Sequence, residues 1–586
     1  MNPPTPTLPA ATAVVVAAKK RRQAVEQPVP RARFTLTPKP YNGPSAQDVL
    51  LARQTHLSAG QYHFYSKPLM LVEASMQYCF DDKGKTYVDC YSNVCHVGHC
   101  HPHFVASTSA TMHNIISNTR YLHPTIVRYA EKLKSKVPAE LSVCYFVNSG
   151  SEANDLAMRL ARIHTQRKGI VCLEYAYHGT TGSCTGISTS LSTGTTTGTE
   201  DYKYHARDVY VAPVPDPYRG KYAEDPEAGR KYAEDVESIL QENPEGIAAF
   251  IHESVQGVGG QVVYPRDYLS RVYDAVRRDG GVCIADEVQT GFGRTGTHFW
   301  AFEAQGVVPD ILTLGKPIGN GFPLGAVLTT REIARSFDGV QYFNTNGGNP
   351  VACSAGLAVL EIIERDGLQQ NALEVSQYLI EKLKELQEQH PIIGDVRGVG
   401  LFVGIELVRD RLTKEPAKEE TARAMEKCRD NGVLIGKGGA FNNVLRMKPP
   451  LCFQKEDADF LVATLDLVLT EVVAYFEAKK QQTEVVEVRI RNGNETYVNC
   501  ESPQTSQAGS QRDNRDHHRI TAPSISPLQR KLTFSTGKRA RSTERTPSAG
   551  DEGRRSTSRT GRLSNLAEQV LDNVPAALAK YALPSE

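Results

Sequence analysis

Between about residues 120 and 345, short continuous apolar runs recur at 143–147, 170–173, 248–251, 282–285 and 311–314. Between them, stretches such as 154–163 and 268–277 repeat apolar residues every three or four positions, the period of a helix with one buried face. Strand-length runs alternating with helical stretches predict a mainly parallel sheet covered by helices. Upstream, an apolar–polar stretch at 69–80 meets the turn signal Asp81-Asp82-Lys83-Gly84 and then Tyr87-Val88-Asp89-Cys90, which reads as a small hairpin. Downstream, helical periodicity covers 350–363, 373–389, 419–430 and 457–478. The stretch 392–408 reads as turn and strand, and short strands are expected at 433–435 and 444–447. The expected fold class is α/β: a large domain with a mainly parallel sheet and a smaller α+β domain. The expected organisation is an extension over 1–45, an N-terminal segment of the small domain over 46–120, the large domain over 121–349, the rest of the small domain over 350–478, and a tail over 479–586.

Composition changes this picture at the two ends. Hydrophobic residues make up 40% and charged residues 23% of the chain, as in an ordinary globular protein, and the net charge of +1 creates no global attraction for nucleic acid or membrane. No apolar run reaches the roughly 18 residues that span a bilayer. Twelve cysteines in 586 residues do not make a disulfide framework and fit a reducing compartment. Residues 1–45 carry Lys19-Lys20-Arg21-Arg22 and no acid before Glu26, so they read as a transit peptide or a disordered extension, and the location as mitochondrial or cytoplasmic. After about 480, Ser, Thr, Arg, Gln and Asn dominate. Basic residues outnumber acidic ones more than twofold between Arg512 and Arg562, as in a solvated basic tail, with one further helical face over 563–574.

Candidate chemistry centres on a lysine and a carboxylate. Lys316 sits in Gly315-Lys316-Pro317-Ile318-Gly319-Asn320-Gly321, thirty residues after Asp286 of Ile284-Ala285-Asp286-Glu287-Val288-Gln289. A lysine that must lose its proton to form a Schiff base suits an apolar, glycine-flanked turn. A carboxylate ending an apolar strand needs a buried partner, and a pyridinium nitrogen supplies one. The pair points to pyridoxal 5'-phosphate. Three further segments fit that cofactor. Asn148-Ser149-Gly150-Ser151-Glu152 follows an apolar run and opens a helix, where Gly150 and Ser151 form a cup for phosphate. Tyr177-His178-Gly179 follows another run, so Tyr177 can stack on a planar ring beside His178. Thr345, in Asn344-Thr345-Asn346-Gly347-Gly348, offers a hydroxyl to phosphate, and Gln289 a hydrogen bond to the ring's phenolic oxygen. Each segment alone also fits a helix cap, a core aromatic or a glycine-rich turn. A cluster of Cys90, Cys95, His96, His99, Cys100, His101 and His103 lacks the spacing of a zinc finger or ribbon, so no metal is assigned to it.

Together these segments resemble a class-III aminotransferase of fold type I, in the alanine–glyoxylate aminotransferase 2-like group, over about residues 50–478. That group contains transaminases and also phospho-lyases acting on phosphoethanolamine or phosphohydroxylysine. The resemblance implies that Gly150 and Ser151 bind the cofactor phosphate, Tyr177 stacks on the ring, Asp286 pairs with its nitrogen, Gln289 contacts its phenolic oxygen and Lys316 forms the Schiff base. It also implies a homodimer with shared sites, in which Thr345 reaches the phosphate of the neighbouring subunit. Arg446 matches the arginine that grips the substrate carboxylate in many class-III transaminases, a task suited to its planar fork. The phospho-lyases tend to carry lysine there, so Arg446 favours transamination of an amine or amino acid with an oxo acid such as pyruvate or glyoxylate. Cys144-Tyr145-Phe146, Gly315-Lys316-Pro317, residues 215–222 and the long polar tail look closest to the phospho-lyases. Val258 stands where many ω-aminotransferases place a gating glutamate. The alternatives to a transaminase are a phospho-lyase and an inactive scaffold.

Overall fold

A computed structural model describes residues 37–61, 63–192 and 208–491. Its largest sheet has seven strands in the order β4-β10-β9-β8-β7-β5-β6. These are β4 (Val143–Val147), β5 (Gly169–Leu173), β6 (Val209–Ala212), β7 (Ile247–Glu253), β8 (Val282–Asp286), β9 (Ile311–Leu314) and β10 (Gly325–Thr329). The strands run parallel except β10, which pairs antiparallel with both β4 and β9. Every residue of β5, β7, β8, β9 and β10 is buried. Burial on both faces explains why these strands read as unbroken apolar runs rather than alternating ones.

Two smaller sheets use the rest of the chain. Strands β1 (Leu71–Ser75), β2 (Tyr78–Asp81) and β3 (Thr86–Asp89) form an antiparallel meander, and β3 then pairs in parallel with β14 (Val433–Leu434). The N-terminal segment is thus stitched to residues more than three hundred positions away. Strands β11 (Ile393–Gly398), β12 (Val403–Asp410), β13 (Glu415–Pro416), β15 (Gly436–Gly438) and β16 (Val444–Met447) form an antiparallel sheet. The helices used below are α1 (Pro102–Asn114), α2 (Pro124–Lys134), α3 (Gly150–Thr165), α4 (Tyr268–Arg278), α5 (Pro350–Arg365) and α6 (Lys455–Arg491).

The expected α/β class holds, with several local differences. Strands β6 and β10 lie outside the apolar runs named above, and β10 supplies the one reversed strand. Helices α1 and α2 begin at prolines and are capped by histidine rings. His101 Nδ1 accepts from the His103 N–H and His123 Nδ1 from the Thr125 N–H, each at 3.3 Å. Histidine is not among the favoured N-caps, so the start signal is weak in the sequence. Helix α6 continues to Arg491, beyond the expected boundary at 478. The basic tail and the pattern at 563–574 lie outside the described residues.

One buried cation joins distant segments. Arg294, in the loop after β8, is fully buried. Its Nη1 donates to the carbonyls of Leu401 (3.0 Å) and Pro449 (2.8 Å), and its Nη2 contacts His96 Nδ1 at 3.0 Å. His96 Nε2 in turn meets the Phe292 carbonyl at 2.8 Å. Burial pushes the guanidinium down to about 9. Arg294→Met removes these donors and strands two carbonyls and an imidazole, a cost of about 2–4 kcal/mol. It is expected to lower the apparent melting temperature in a thermal scan. An unchanged melting temperature contradicts this role.

Candidate active site

Parallel strands deliver their C-terminal ends to one edge of a sheet, and every candidate segment but two leaves from that edge. Asn148 to Ser151 follow β4, Tyr177 and His178 follow β5, Glu253 ends β7, Asp286 ends β8 and Lys316 follows β9. The two exceptions are Arg446, on β16, and Thr345. Lys316 adopts a left-handed backbone with φ of 37°, strained for a side-chain-bearing residue. A Cβ on Gly315 would lie 2.9 Å from the backbone of Gly150, so the lysine turn is pressed directly onto the start of α3. A Cβ on Gly179, where φ is +112°, would lie 2.2 Å from Ser151 Oγ. Glycine is required at both positions.

Asp286 is buried, yet it is held as an anion. Its Oδ2 accepts from Asn154 Nδ2 (2.7 Å) and contacts His178 Nδ1 (2.8 Å), while Oδ1 accepts from the Val288 N–H (3.0 Å). Burial pushes its pKa up, but the His178 ring, the Val288 amide and Asn154 outweigh that and hold it below the usual carboxylate range. Oδ1 accepts only the Val288 N–H, which leaves it one free acceptor position toward the cavity. A pyridinium N–H has the charge and the donor to fill that position. At the opposite end, Ser149 caps α3 by accepting from the Glu152 N–H at 3.2 Å. The amides of Gly150 and Ser151 come before the first intrahelical bond, and both residues line the cavity, as a phosphate site requires. The residues present therefore fit pyridoxal phosphate.

Two cavities meet at this edge. One, about 420 Å³, is lined by Gly150, Ser151, Tyr177, His178, Asp286 and Gln289 among others, with Lys316 in its wall. The second, about 360 Å³, is lined by Tyr91, Val258, Lys437, Arg446 and Lys448 among others. Tyr177, Gln289 and Lys316 belong to both, so Lys316 stands in the wall between them. Burial pulls the Lys316 ammonium below the usual lysine range, opposed by Asp286 and Glu253.

Arg446 lies in the second cavity and is buried. It donates to the carbonyls of Lys437 (3.0 Å) and Gly257 (3.2 Å) and to the Tyr91 hydroxyl (2.7 Å). Thr345 is exposed and lines neither cavity, although its neighbour Asn344 accepts from Asn148 Nδ2 at 2.9 Å. The histidine- and cysteine-rich segment disperses: His96 goes to Arg294, His101 to Asp366 and His103 to Glu361. Among the described residues, His99 alone of these joins a group of three ligand-type side chains, with Cys79 and Asp89, their atoms within 4.8 Å of one another.

Three contributors were not singled out from the sequence. Asn154 holds Asp286 and also accepts from Thr313 Oγ1 at 2.6 Å. Glu253 accepts the N–H groups of Tyr177 (3.1 Å) and Gly257 (2.8 Å). It ends an apolar strand just as Asp286 does, so the same signal marks it. Lys448 is buried and donates to Gln289 Oε1 at 2.7 Å. It lies two residues after Arg446, the spacing that puts side chains on one face of an extended chain.

Residues 62–469 match the protein family described as "Aminotransferase class-III". The chain is 48% identical over 443 residues to "Alanine--glyoxylate aminotransferase 2 homolog 2, mitochondrial" of Arabidopsis thaliana, covering 75% of this chain and 91% of that one. It is 42% identical over 445 residues to "Ethanolamine-phosphate phospho-lyase homolog 1" of Caenorhabditis elegans, covering 73% and 94%. Among solved structures it resembles a phospholyase from Arthrobacter in complex with phosphoethanolamine. The TM-score is 0.68 at 36% identity, covering 72% of this chain and 99% of that one.

Lys448 is a buried cation with no carboxylate partner among the described residues, and replacing such a charge by an apolar side chain tends to stabilise a fold. Burial, then Arg446, Lys316 and Arg294, push its pKa well below the ordinary lysine value. Below the ordinary value the unfolded chain binds a proton that the folded chain rejects, so stability falls as pH falls through that window. Lys448→Met in the cofactor-free protein is therefore expected to raise the melting temperature, by about 1 kcal/mol or more in stability. The gain should widen as pH is lowered from the alkaline side. Melting curves across pH check this, and a destabilised variant contradicts it.

Proposed function

The chain belongs to the class-III aminotransferase family, and on that premise we propose that it is a pyridoxal-phosphate-dependent aminotransferase. It moves an amino group from an amine or amino acid to an oxo acid such as pyruvate or glyoxylate. The observation that carries this reading is the position of Lys316 in the wall shared by a cavity that fits the cofactor and a second cavity holding Arg446. When bound, pyridoxal phosphate supplies an electron sink for the substrate's amine-bearing carbon.

The chain's own residues do the rest. The amides of Gly150 and Ser151 at the start of α3 would hold the phosphate and Tyr177 would lie against the ring, while His178 holds Asp286 at 2.8 Å. Asp286 keeps a proton on the ring nitrogen, because its carboxylate is held ionised by His178, Val288 and Asn154. Gln289 would offer the remaining N–H of its amide to the phenolic oxygen, since Oε1 accepts from Asn93 (2.9 Å) and Lys448 (2.7 Å) and Nε2 also donates to Glu253 at 3.4 Å. Lys316, desolvated and so deprotonated more readily, acts as general base on the substrate carbon. Arg446 binds the substrate carboxylate with the N–H groups left over from its three neutral acceptors.

A second reading, loss of phosphate from a phosphorylated amine, is favoured by one observation: three cations besides Lys316, and no carboxylate, line the second cavity. The two readings share Lys316 and differ in products. Purified enzyme supplied with phosphoethanolamine and no oxo acid is expected to release no phosphate, and alanine with glyoxylate is expected to give pyruvate and glycine. Catalytic phosphate release would overturn the first reading in favour of the second. Lys316→Ala should end either reaction and abolish the visible absorbance band while leaving the circular dichroism unchanged.

The site is completed in a homodimer. Ile116, Tyr121, Leu122, Val127 and Phe343 are exposed apolar side chains, and Phe343 is two residues from Thr345. Arg120 links two of these stretches by lying over the Phe343 ring at 4.7 Å. Such a patch is unfavourable in water and suits a second copy of the chain. Its cover would bring Thr345 to the partner's phosphate. The Arabidopsis relative's name and the acid-free stretch before Glu26 support a mitochondrial location. Leu122→Glu is expected to convert a dimer to a monomer in sedimentation and to weaken cofactor retention. A monomeric unmodified protein with full activity contradicts the shared site.

A further inference from the structure

The segment rich in cysteine and histidine does not hold together, but one of its members meets two side chains of the meander. His99 Nε2 lies 2.8 Å from Asp89 Oδ2 and 3.6 Å from Cys79 Sγ. Cys79 and Asp89 are buried. The backbone sets up this meeting. Cys79 on β2 stands opposite Tyr87 on β3, and Asp89, two residues further along β3, falls on the same face. His99 is pinned beside them by two bonds to Met76, each residue's N–H donating to the other's carbonyl at 2.8 Å. Asp89 Oδ1 accepts the N–H groups of Tyr91 (3.0 Å) and Ser92 (2.8 Å), so Oδ2 is the oxygen left for His99.

A carboxylate and a thiol thus approach one ring nitrogen. Nε2 has a single in-plane position, either one N–H or one lone pair. A proton there serves Asp89 or Cys79, whereas a cation between the three atoms serves all of them. Zinc sits about 2.0–2.1 Å from an imidazole nitrogen and about 2.3 Å from a thiolate, which at a tetrahedral angle separates N from S by about 3.6 Å. That is the separation of His99 Nε2 and Cys79 Sγ. The Nε2 to Oδ2 separation would widen by about half an ångström. Thiolate and imidazole ligands suit zinc, whereas magnesium and calcium take oxygen. A fourth ligand is at hand in Cys95, a half-buried thiol that also hydrogen-bonds the His99 ring.

We propose that Cys79, Asp89 and His99, with Cys95 as the fourth ligand, form a structural zinc site. The two thiols give up their protons to solvent as the ion binds, and His99 Nε2 turns its lone pair to the metal. Four protein ligands close the site, so the ion holds segments together and leaves no open position for a substrate. The loop it fastens packs against the lysine turn. The Val97 N–H donates to Asn320 Oδ1 (2.9 Å), and Asn320 Nδ2 donates to the Gly98 carbonyl (3.0 Å), four residues after Lys316. Asn93, at the start of the same loop, donates to Gln289. The ion would stiffen this wall of the site and takes no part in the proposed amino transfer, so neither reading depends on the other.

The test uses the full-length, cofactor-loaded protein, equilibrated against buffered zinc and then desalted, with bound metal read by elemental mass spectrometry. The unmodified protein is expected to retain one zinc per chain and to melt at a higher temperature than the zinc-stripped protein. Cys79→Ala should weaken zinc binding by about a hundredfold or more, beyond the cost of losing an outer-shell contact, and should remove the zinc-dependent rise in melting temperature. Cys100→Ser, at an exposed thiol outside the ligand set, should leave both unchanged. X-ray absorption at the zinc edge needs no variant, and on the unmodified protein it should show sulfur at about 2.3 Å together with nitrogen or oxygen at about 2.0 Å. Failure of the unmodified protein to retain zinc, full retention by Cys79→Ala, or a zinc shell without sulfur would overturn the proposal.

Discussion

A carboxylate that must stay ionised inside an apolar sheet organises much of this molecule. Asp286 ends β8, whose five residues are all buried, and no water is needed to hold its charge. The pairing of β8 with β9 sets Asp286 beside Thr313. Thr313 donates to Asn154 on α3, and Asn154 donates back to Asp286. Strand register, the helix across it and the carboxylate therefore close one hydrogen-bonded loop. On the other side, β7 sets Glu253 beside Asp286, and Glu253 fixes the backbone of Tyr177. A one-residue slip of β8 would turn Asp286 to the opposite face and undo all of these contacts at once.

Charge is sorted between the two cavities. Asp286 lines the first cavity, and Arg446, Lys448 and Lys437 line the second. Lys316 stands between them and feels both, its ammonium favoured by Asp286 and Glu253 and disfavoured by its burial. On the proposed reading, the cation-rich side is costly while empty, and an anionic substrate would offset that cost. The Arg294 clamp lets the two sides be built from separate parts of the chain, because it joins the loop after β8 to the backbone of Pro449, next to Lys448.

Much of the fold and of the cofactor side was legible in the sequence. Fully buried strands appear as unbroken apolar runs, and β4, β8 and β9 begin where those runs begin. The site residues from Gly150 to Lys316 were legible because parallel strands bring local segments to a common edge. What escaped depended on contacts between distant positions. Asn154 looks like an ordinary helical residue until Asp286 is beside it. Lys448 looks like a surface lysine until burial and the company of Arg446 are seen. Helices α1 and α2 escaped for a local reason, the use of histidine rings as caps. Thr345 sits outside both cavities of its own chain, and the role that the resemblance implies for it is a contact to the phosphate of a neighbouring subunit.

The absence of an acid beside Arg446 constrains the reaction as a whole. A glutamate at the Val258 position could pair with the arginine and neutralise it whenever a substrate without an anionic end is bound. Val258 has no charge to offer, and the guanidinium rests instead on two carbonyls and a phenol. Neutral acceptors satisfy its hydrogen bonds but leave its charge in place. An amine with an uncharged tail would thus leave Arg446 and Lys448 as neighbouring, uncompensated buried cations, a state costlier than the empty cavity because it also excludes water. On the proposed reading, each compound that enters, amine or oxo acid, brings its own negative charge. Among the described residues, no carboxylate lines that cavity with which to accommodate an uncharged tail.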